Sequence, residues 1–310
     1  MLSRFPAETH GELFGSGDGV PLAAAPFAPM GRLVPIDGDD GYRVSGRWEW
    51  ATGIWHSGWC LVHGFDEGVE LGTRFAVVPV GDLLVEDTWH TSGMRATGSA
   101  AVVLDDVIVP AHRTVAGDDL RGAVGAVAGD GLAGLPLLSV LALVSSASAV
   151  GAAQAAVDRY AERLGSRVLA YSLGDRAEDQ PLAQARLASV TSDLETTLAG
   201  WRATLAEVAA CVGADGGGGA GRGASPGLDD RQRVRVRLAA AAAAVRASRR
   251  TIGDVGEGAG ASVYATSHPL QRLQRDVETL KGHVSFDWDR TTELAGRVML
   301  GGRLGPTDMA

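Results

Sequence analysis

Cysteine is nearly absent: 310 residues carry only Cys60 and Cys211. Two thiols in a chain this long make no disulfide framework, and no Cys/His spacing of a zinc site accompanies them. No metal is expected, and a reducing cytoplasm is the expected compartment. Positive charge is in deficit, with 28 basic against 37 acidic side chains and a net charge of −9. That balance argues against a general binder of nucleic acid or of anionic membrane, though not against a local basic pocket for a phosphate. The first ten residues hold no apolar run of signal-peptide length. No G-x-G-x-x-G or Walker sequence follows a strand, so no conventional mononucleotide site is legible. There is no internal repeat. One apolar stretch, Leu132 to Val150, approaches membrane-span length, but its Ala, Ser and Gly content reads as a helix buried in a bundle.

What is present divides the chain near residue 115. Before it, Gly, Pro, Trp, Val and Asp dominate in short runs. Gly41 to Trp50 alternates behind an Asp-Gly-Asp-Asp-Gly cluster, a hairpin signal; Trp59 to Phe65 and Thr73 to Pro79 read as further strands. After about residue 130 the apolar period lengthens, and helices are predicted over 133–165, 181–211, 228–256 and 269–300. Pro136, Pro181 and Pro269 suit first-turn positions. The expected fold is α+β: a small, mainly antiparallel β-domain over 18–115, then a C-terminal four-helix bundle over 116–310. The Gly-rich run at 213–227 is expected to be a flexible surface loop without chemistry.

Three stretches carry chemistry. In Trp89 to Pro110, a polar turn with Gly93, Arg95, Thr97, Gly98 and Ser99 precedes an apolar strand, with Asp105-Asp106 as a turn or bulge inside it. Backbone donors, two hydroxyls and a guanidinium at a strand mouth suit a flat, polar-edged ligand; the plain alternative is a connecting loop. Gly46 to Trp59 holds four tryptophans, which by themselves read equally as filler of a hydrophobic hairpin. His268 to His283 places Arg272, Arg275 and Asp276 on one predicted helix, where a surface ion pair worth under ~1 kcal/mol is the ordinary reading. Arg231, Arg233, Arg235 and Arg237 spread around another helix and are expected to face water.

Taken together, these stretches resemble the acyl-CoA dehydrogenase superfamily. Within it they are most similar to the flavin-dependent monooxygenases of the 4-hydroxyphenylacetate and 3-HSA hydroxylase type, the oxygenase halves of two-component systems. Gly93-Met-Arg-Ala-Thr-Gly-Ser99 matches that group's G-M-R-G-T-G-S turn. Trp50, Ala51, Thr52 and Gly53 stand where its G-x-W-x-F-x-S-G strand passes the isoalloxazine ring. Thr52 replaces the usual serine and keeps the hydroxyl, and His56 and Trp59 match the H-x-x-W that follows. His268 to Asp276 matches H-P-L-Q-R-x-x-R-D, with His283 as the histidine that follows.

The resemblance implies an oxygenase component that uses reduced FMN or FAD and O₂ to hydroxylate a phenol, a polyketide aromatic or an amine. It implies a flavin held by Trp50, Ala51, Thr52, Gly53, Arg95, Thr97 and Ser99. His283 is implied as the group that polarises or deprotonates the substrate, a role suited to its pKa near working pH, with Thr52 assisting. An arginine and a glutamine of the helical half reach the flavin phosphates or ring in the superfamily. Arg167, or its rival Arg176, and Gln184 are the candidates, against the alternative of solvated helix ends. The implied partners are a flavin reductase and further subunits, as a homo-oligomeric dimer or tetramer or a hetero-oligomer with a full-length homologue. Family members begin with a helical domain of about a hundred residues, of which 1–17 resembles the end; an expectation of a non-catalytic subunit follows as the alternative. A dehydrogenase of acyl thioesters fits less well, because no glutamate base is placed.

Overall fold

The computed structural model describes residues 1–15, 20–38, 41–121, 137–213, 228–305 and 308. The expected loop at 213–227 beyond its first residue, the first-turn Pro136 and the start of the helix predicted from 133 lie outside the described residues. The chain forms two compact units. One takes Met1–Thr91 and Arg95–Leu137; the other takes Ser92–Met94, Leu138–Ala214 and Leu228–Ala310.

The first unit is an eight-stranded sheet: β1 (Ala23–Ala24), β2 (Gly31–Pro35), β3 (Gly41–Ala51), β4 (Trp59–Asp66), β5 (Thr73–Pro79), β6 (Leu84–Glu86), β7 (Ala100–Pro110) and β8 (Thr114–Ala116). Their order is β6-β7-β3-β2-β4-β5-β8, with β1 added on β4. The sheet is not wholly antiparallel, since β1 and β2 both run parallel to β4. The cause is the occupancy of β3, which spends one edge on β2 and the other on β7. The chain reverses after β3 and must join the sheet at the free edge of β2, in the direction of β2. Opposite Ser45, β7 bulges at Asp106, whose φ is 54° and whose N–H donates to Ser45 Oγ.

The tryptophans divide sharply. Trp48 is fully buried, and its Nε1 donates to the carbonyl of His63 at 2.6 Å. It centres a core with Leu33, Val44, Val62 and Val102. A ring of this size contributes about 3 kcal/mol or more by burial. Trp50 and Trp55 are instead 64% and 53% exposed. A second apolar cluster joins Phe75, Val77 and Leu120 of α2 (Gly117–Arg121) to Phe5 and to Leu13 of α1 (Ala7–Phe14).

The second unit is helical: α3 (Leu137–Ser166), α4 (Pro181–Gly213), α5 (Asp230–Arg237), α6 (Val245–Ala259), α7 (Pro269–Leu280) and α8 (Trp288–Met299). The helix predicted over 228–256 is one continuous element, but Leu238–Ala244 between α5 and α6 is π-helical. The single helix predicted over 269–300 is two. Asp287 Oδ1 accepts the N–H of Arg290 and starts α8 afresh, leaving residues 281–287 as a break that holds a short 3-10 turn. Pro181 and Pro269 occupy the first positions of α4 and α7.

Alanine lets these helices approach closely. Ala149, Ala153, Ala156 and Tyr160 of α3 meet Val190 and Leu194 of α4, Ile252 and Val255 of α6, and Val277 of α7. The α3 helix is long and apolar enough to cross a membrane by length and composition, and 44% of its most apolar window is buried inside the protein.

Candidate functional site

At the end of β3 the backbone leaves the extended region abruptly. Trp50 has φ 63° and Gly53 has φ 78°. The first is strained for a residue with a Cβ; only glycine takes the second freely. The twist turns the Trp50 ring out to solvent and presents Thr52 beside the turn of Arg95–Thr97. Gly53 donates its N–H to the carbonyl of Thr97 at 2.8 Å. Thr52 Oγ1 and Thr97 Oγ1 each lie 2.9 Å from the buried Ser99 Oγ.

Two hydrogen bonds link the three hydroxyls into one polar cluster that can both donate and accept. A Cβ placed on Gly53 would meet nothing within 4 Å, so the space in front of this turn is open. Trp55 packs its ring edge on Gly98, and Arg95 is exposed. The structure thus brings Trp50, Thr52, Gly53, Thr97 and Ser99 into one wall. Their chemistry, flat aromatic surface beside hydroxyl and backbone donors, fits a planar heteroaromatic ring with a polar edge.

The first residues of the same turn are held by α7. A Cβ on Gly93 would lie 2.0 Å from the carbonyl oxygen of Arg275, so only glycine permits this approach. Met94, at φ 54°, donates its N–H to Asp276 Oδ1 at 2.6 Å. Arg275 donates to the carbonyl of Ser92 and, through Nε, to Gln271 Oε1 at 2.7 Å. The expected surface ion pair of Arg272 or Arg275 with Asp276 is therefore wrong. Asp276 turns toward an orphan backbone donor, which offers a charge-assisted hydrogen bond of about 1.5–3 kcal/mol against the ~0–1 of an exposed pair.

His283 is not on a helix. It caps the 3-10 turn Val284–Phe286, its Nδ1 accepting the Ser285 N–H at 3.1 Å. Its ring lies 5.6 Å from that of Phe286. The residue is exposed at the surface, yet the protein packed around it withdraws part of the ring's water. That desolvation, and then the charge of Arg237, hold its pKa below the ordinary histidine value.

Arg237 overturns the expectation of a solvated arginine series. Arg231 and Arg235 are exposed, but Arg237 is only 2% exposed and donates from Nη2 to the carbonyl of Val284 at 2.9 Å. Regular helix counting already puts it three residues after buried Val234, on the same face of α5; reading the four arginines as one solvated series overlooked that.

Arg167 and Gln184 sit elsewhere in the helical unit. Arg167 Nη1 donates to the carbonyl of Ala259 at 3.0 Å, and Arg163 Nε to the same oxygen at 2.8 Å. Two guanidiniums thereby complete the C-terminal end of α6. Gln184 is exposed and donates to the carbonyl of Glu178, while Arg176 pairs with Glu178. Arg167, Tyr160, Gln180 and Arg186 line a cavity of about 200 Å³, a feature the sequence did not announce. Burial raises the Tyr160 pKa there.

Comparison with known proteins places these features. A family profile described as acyl-CoA dehydrogenase, C-terminal domain, matches residues 143–288. Over 307 residues the chain is 30% identical to the flavin-dependent monooxygenase, oxygenase subunit HsaA, of Rhodococcus jostii (strain RHA1), covering 95% of this chain and 75% of that one. It is 29% identical over 313 residues to the FADH(2)-dependent resorcinol hydroxylase, oxygenase component, of Rhizobium sp. (strain MTP-10005), covering 97% and 74%. Among solved structures, XiaF from Streptomyces sp. in complex with FADH2 and glycerol superposes with a TM-score of 0.86 at 30% identity, over 99% of this chain and 74% of that one. The chain spans about three quarters of the length of these relatives.

Proposed function

Because the chain belongs to the family of flavin-dependent monooxygenase oxygenase components, we propose that it hydroxylates a phenolic aromatic with reduced flavin and O₂, using the wall at the end of β3 to hold the flavin ring. One observation carries the reading. The open space at Gly53 lies beside the linked hydroxyls of Thr52, Ser99 and Thr97 and the exposed ring of Trp50.

Thr52 and the Gly53 turn would contact the ring's polar edge, Trp50 its flat face, and Arg95 any negative charge the flavin carries. Arg167 and Gln184 are the helical-unit candidates for the flavin phosphates. A bound reduced flavin supplies the two electrons with which O₂ is divided between the product hydroxyl and water. The protein's part is to orient and to exclude solvent. His283 acts on the substrate's oxygen. A separate flavin reductase in the cytoplasm supplies the reduced cofactor, and the enzyme works as an oligomer. Resorcinol and related phenols are the first substrates to test.

The test is an anaerobic titration of the chain with reduced FMN and reduced FAD, followed by mixing with O₂ and a panel of phenols. Saturable binding of one flavin and a hydroxylated product are expected. An absence of binding for both flavins sinks the reading.

A further inference from the structure

His283 and Arg237 form a unit that neither the motif nor the family likeness describes. The ring's Nδ1 accepts the backbone N–H of Ser285 at 3.1 Å, so in the neutral ring the proton resides on Nε2. Behind the turn, buried Arg237 donates from Nη2 to the carbonyl of Val284, the next residue. Its Nε has no hydrogen-bond partner in the described structure, so this guanidinium is kept buried at a cost. An arginine retained under those terms, and anchored to the segment that carries His283, has a reason to be there beyond packing.

We infer that Arg237 and the Ser285 N–H hold His283 as the neutral Nε2–H tautomer, which makes His283 a hydrogen-bond donor to a phenolate oxygen of the substrate and Arg237 its positioning residue. The inference rests on the reading of His283 as the group that meets the substrate.

The other charges nearby are accounted for. Arg237 feels Arg290 and Asp287 of the α8 end and Asp308 of the C-terminal segment. Lys281, two residues before His283, is paired with Glu278. The C-terminal end of α7, whose Leu280 carbonyl accepts the His283 N–H, favours an imidazolium. Desolvation and Arg237 act in the opposite direction. A neutral donor suits a substrate whose oxygen carries negative charge, since a preorganised N–H stabilises that oxygen without first giving up a proton. A base would need a bare Nε2, which requires moving the ring proton to Nδ1 and breaking the Ser285 bond. The substrate class that follows is a phenol bound as its phenolate, with its proton released to solvent.

The decisive measurement is ¹⁵N NMR of the histidine-labelled chain, with the His283→Ala variant assigning the signal. A protonated Nε2 and a bare Nδ1 at neutral pH are expected; the opposite tautomer, or an imidazolium, overturns the proposal. Arg237→Met should move the His283 titration upward, and Arg237→Lys should return it toward the wild-type position. An unmoved titration in folded Arg237→Met removes Arg237 from the account.

Turnover separates this inference from the reading beneath it. His283→Gln, whose amide N–H₂ takes the place of Nε2–H, should retain more product formation than His283→Asn, and equal losses count against a donor. Undiminished turnover in His283→Ala sinks the substrate role itself, and leaves the tautomer to be judged by the NMR alone.

Discussion

Replacing Gly53 by alanine separates the cost of a strained backbone from the cost of an obstructed site. Gly53 has φ 78°, and its new methyl would meet no atom within 4 Å. The folded protein therefore suffers only the left-handed strain of an L-residue, about 1–2 kcal/mol. Gly38, in the turn before β3, has φ 72° and equally open surroundings, which makes it a matched control remote from the wall. Both variants should lose the same stability, read as a similar fall in urea midpoint. Their flavin affinities should part. The Gly53 methyl projects into the space assigned to the isoalloxazine ring, so reduced-flavin binding should weaken by tenfold or more, about 1.4 kcal/mol or above. Gly38→Ala should bind as wild type does. Fluorescence-monitored anaerobic titration compares the two directly. Equal affinities in both variants would refute the placement of the ring at this turn.

Three further outcomes follow from the same geometry. Asp276→Ala removes the carboxylate that accepts the Met94 N–H and should cost about 1.5–3 kcal/mol in urea unfolding, whereas Asp276→Asn keeps an acceptor and should cost less. Leu294→Ala empties the cluster of Val234, Ala295 and Val298 where α5 meets α8, with an expected loss of about 2–5 kcal/mol and an unchanged flavin affinity. Stability should fall as pH drops. Hydrogen bonds from Arg113 lower the Glu12 pKa, the Gly305 N–H lowers that of Asp308, and Lys281 with Arg249 overcome burial to lower that of Glu278. Each of these carboxylates contributes stability in full above its unfolded value and loses it as the pH falls through its folded value. His283, also lowered, binds its proton more readily when unfolded and adds to the loss as the pH falls below about 6.5. Urea midpoints at neutral, mildly acidic and acidic pH check the sign; a midpoint that rises on acidification contradicts it.

The local features were legible because each is set by neighbours in sequence. Alternating Val, Trp and Thr marked the strands, Pro181 and Pro269 marked helix starts, and the glycines of the 93–99 turn marked a backbone that bends and approaches closely. The matched motifs pointed to the flavin family from residue identity alone. Contacts from distant parts of the chain were not legible, because burial and orientation arise only when elements pack. Composition could not say that Trp48 would fill the core while Trp50 and Trp55 would face solvent; the left-handed twist at Trp50 decided that. Periodicity ran one helix through 269–300, since Asp287 as a cap and His283 as a turn residue act through hydrogen bonds that propensity does not weigh. Arg237 and Asp276 looked like solvated charges. Packing turned one inward to the Val284 carbonyl and the other onto the Met94 N–H, because a buried backbone donor or acceptor must find a partner and the nearest charge supplied it. The sequence by itself determined the family and named the residues proposed to form a flavin wall. Tertiary structure alone decided which nitrogen of His283 is engaged, because the turn that brings the Ser285 N–H to Nδ1 forms only where the chain breaks between α7 and α8.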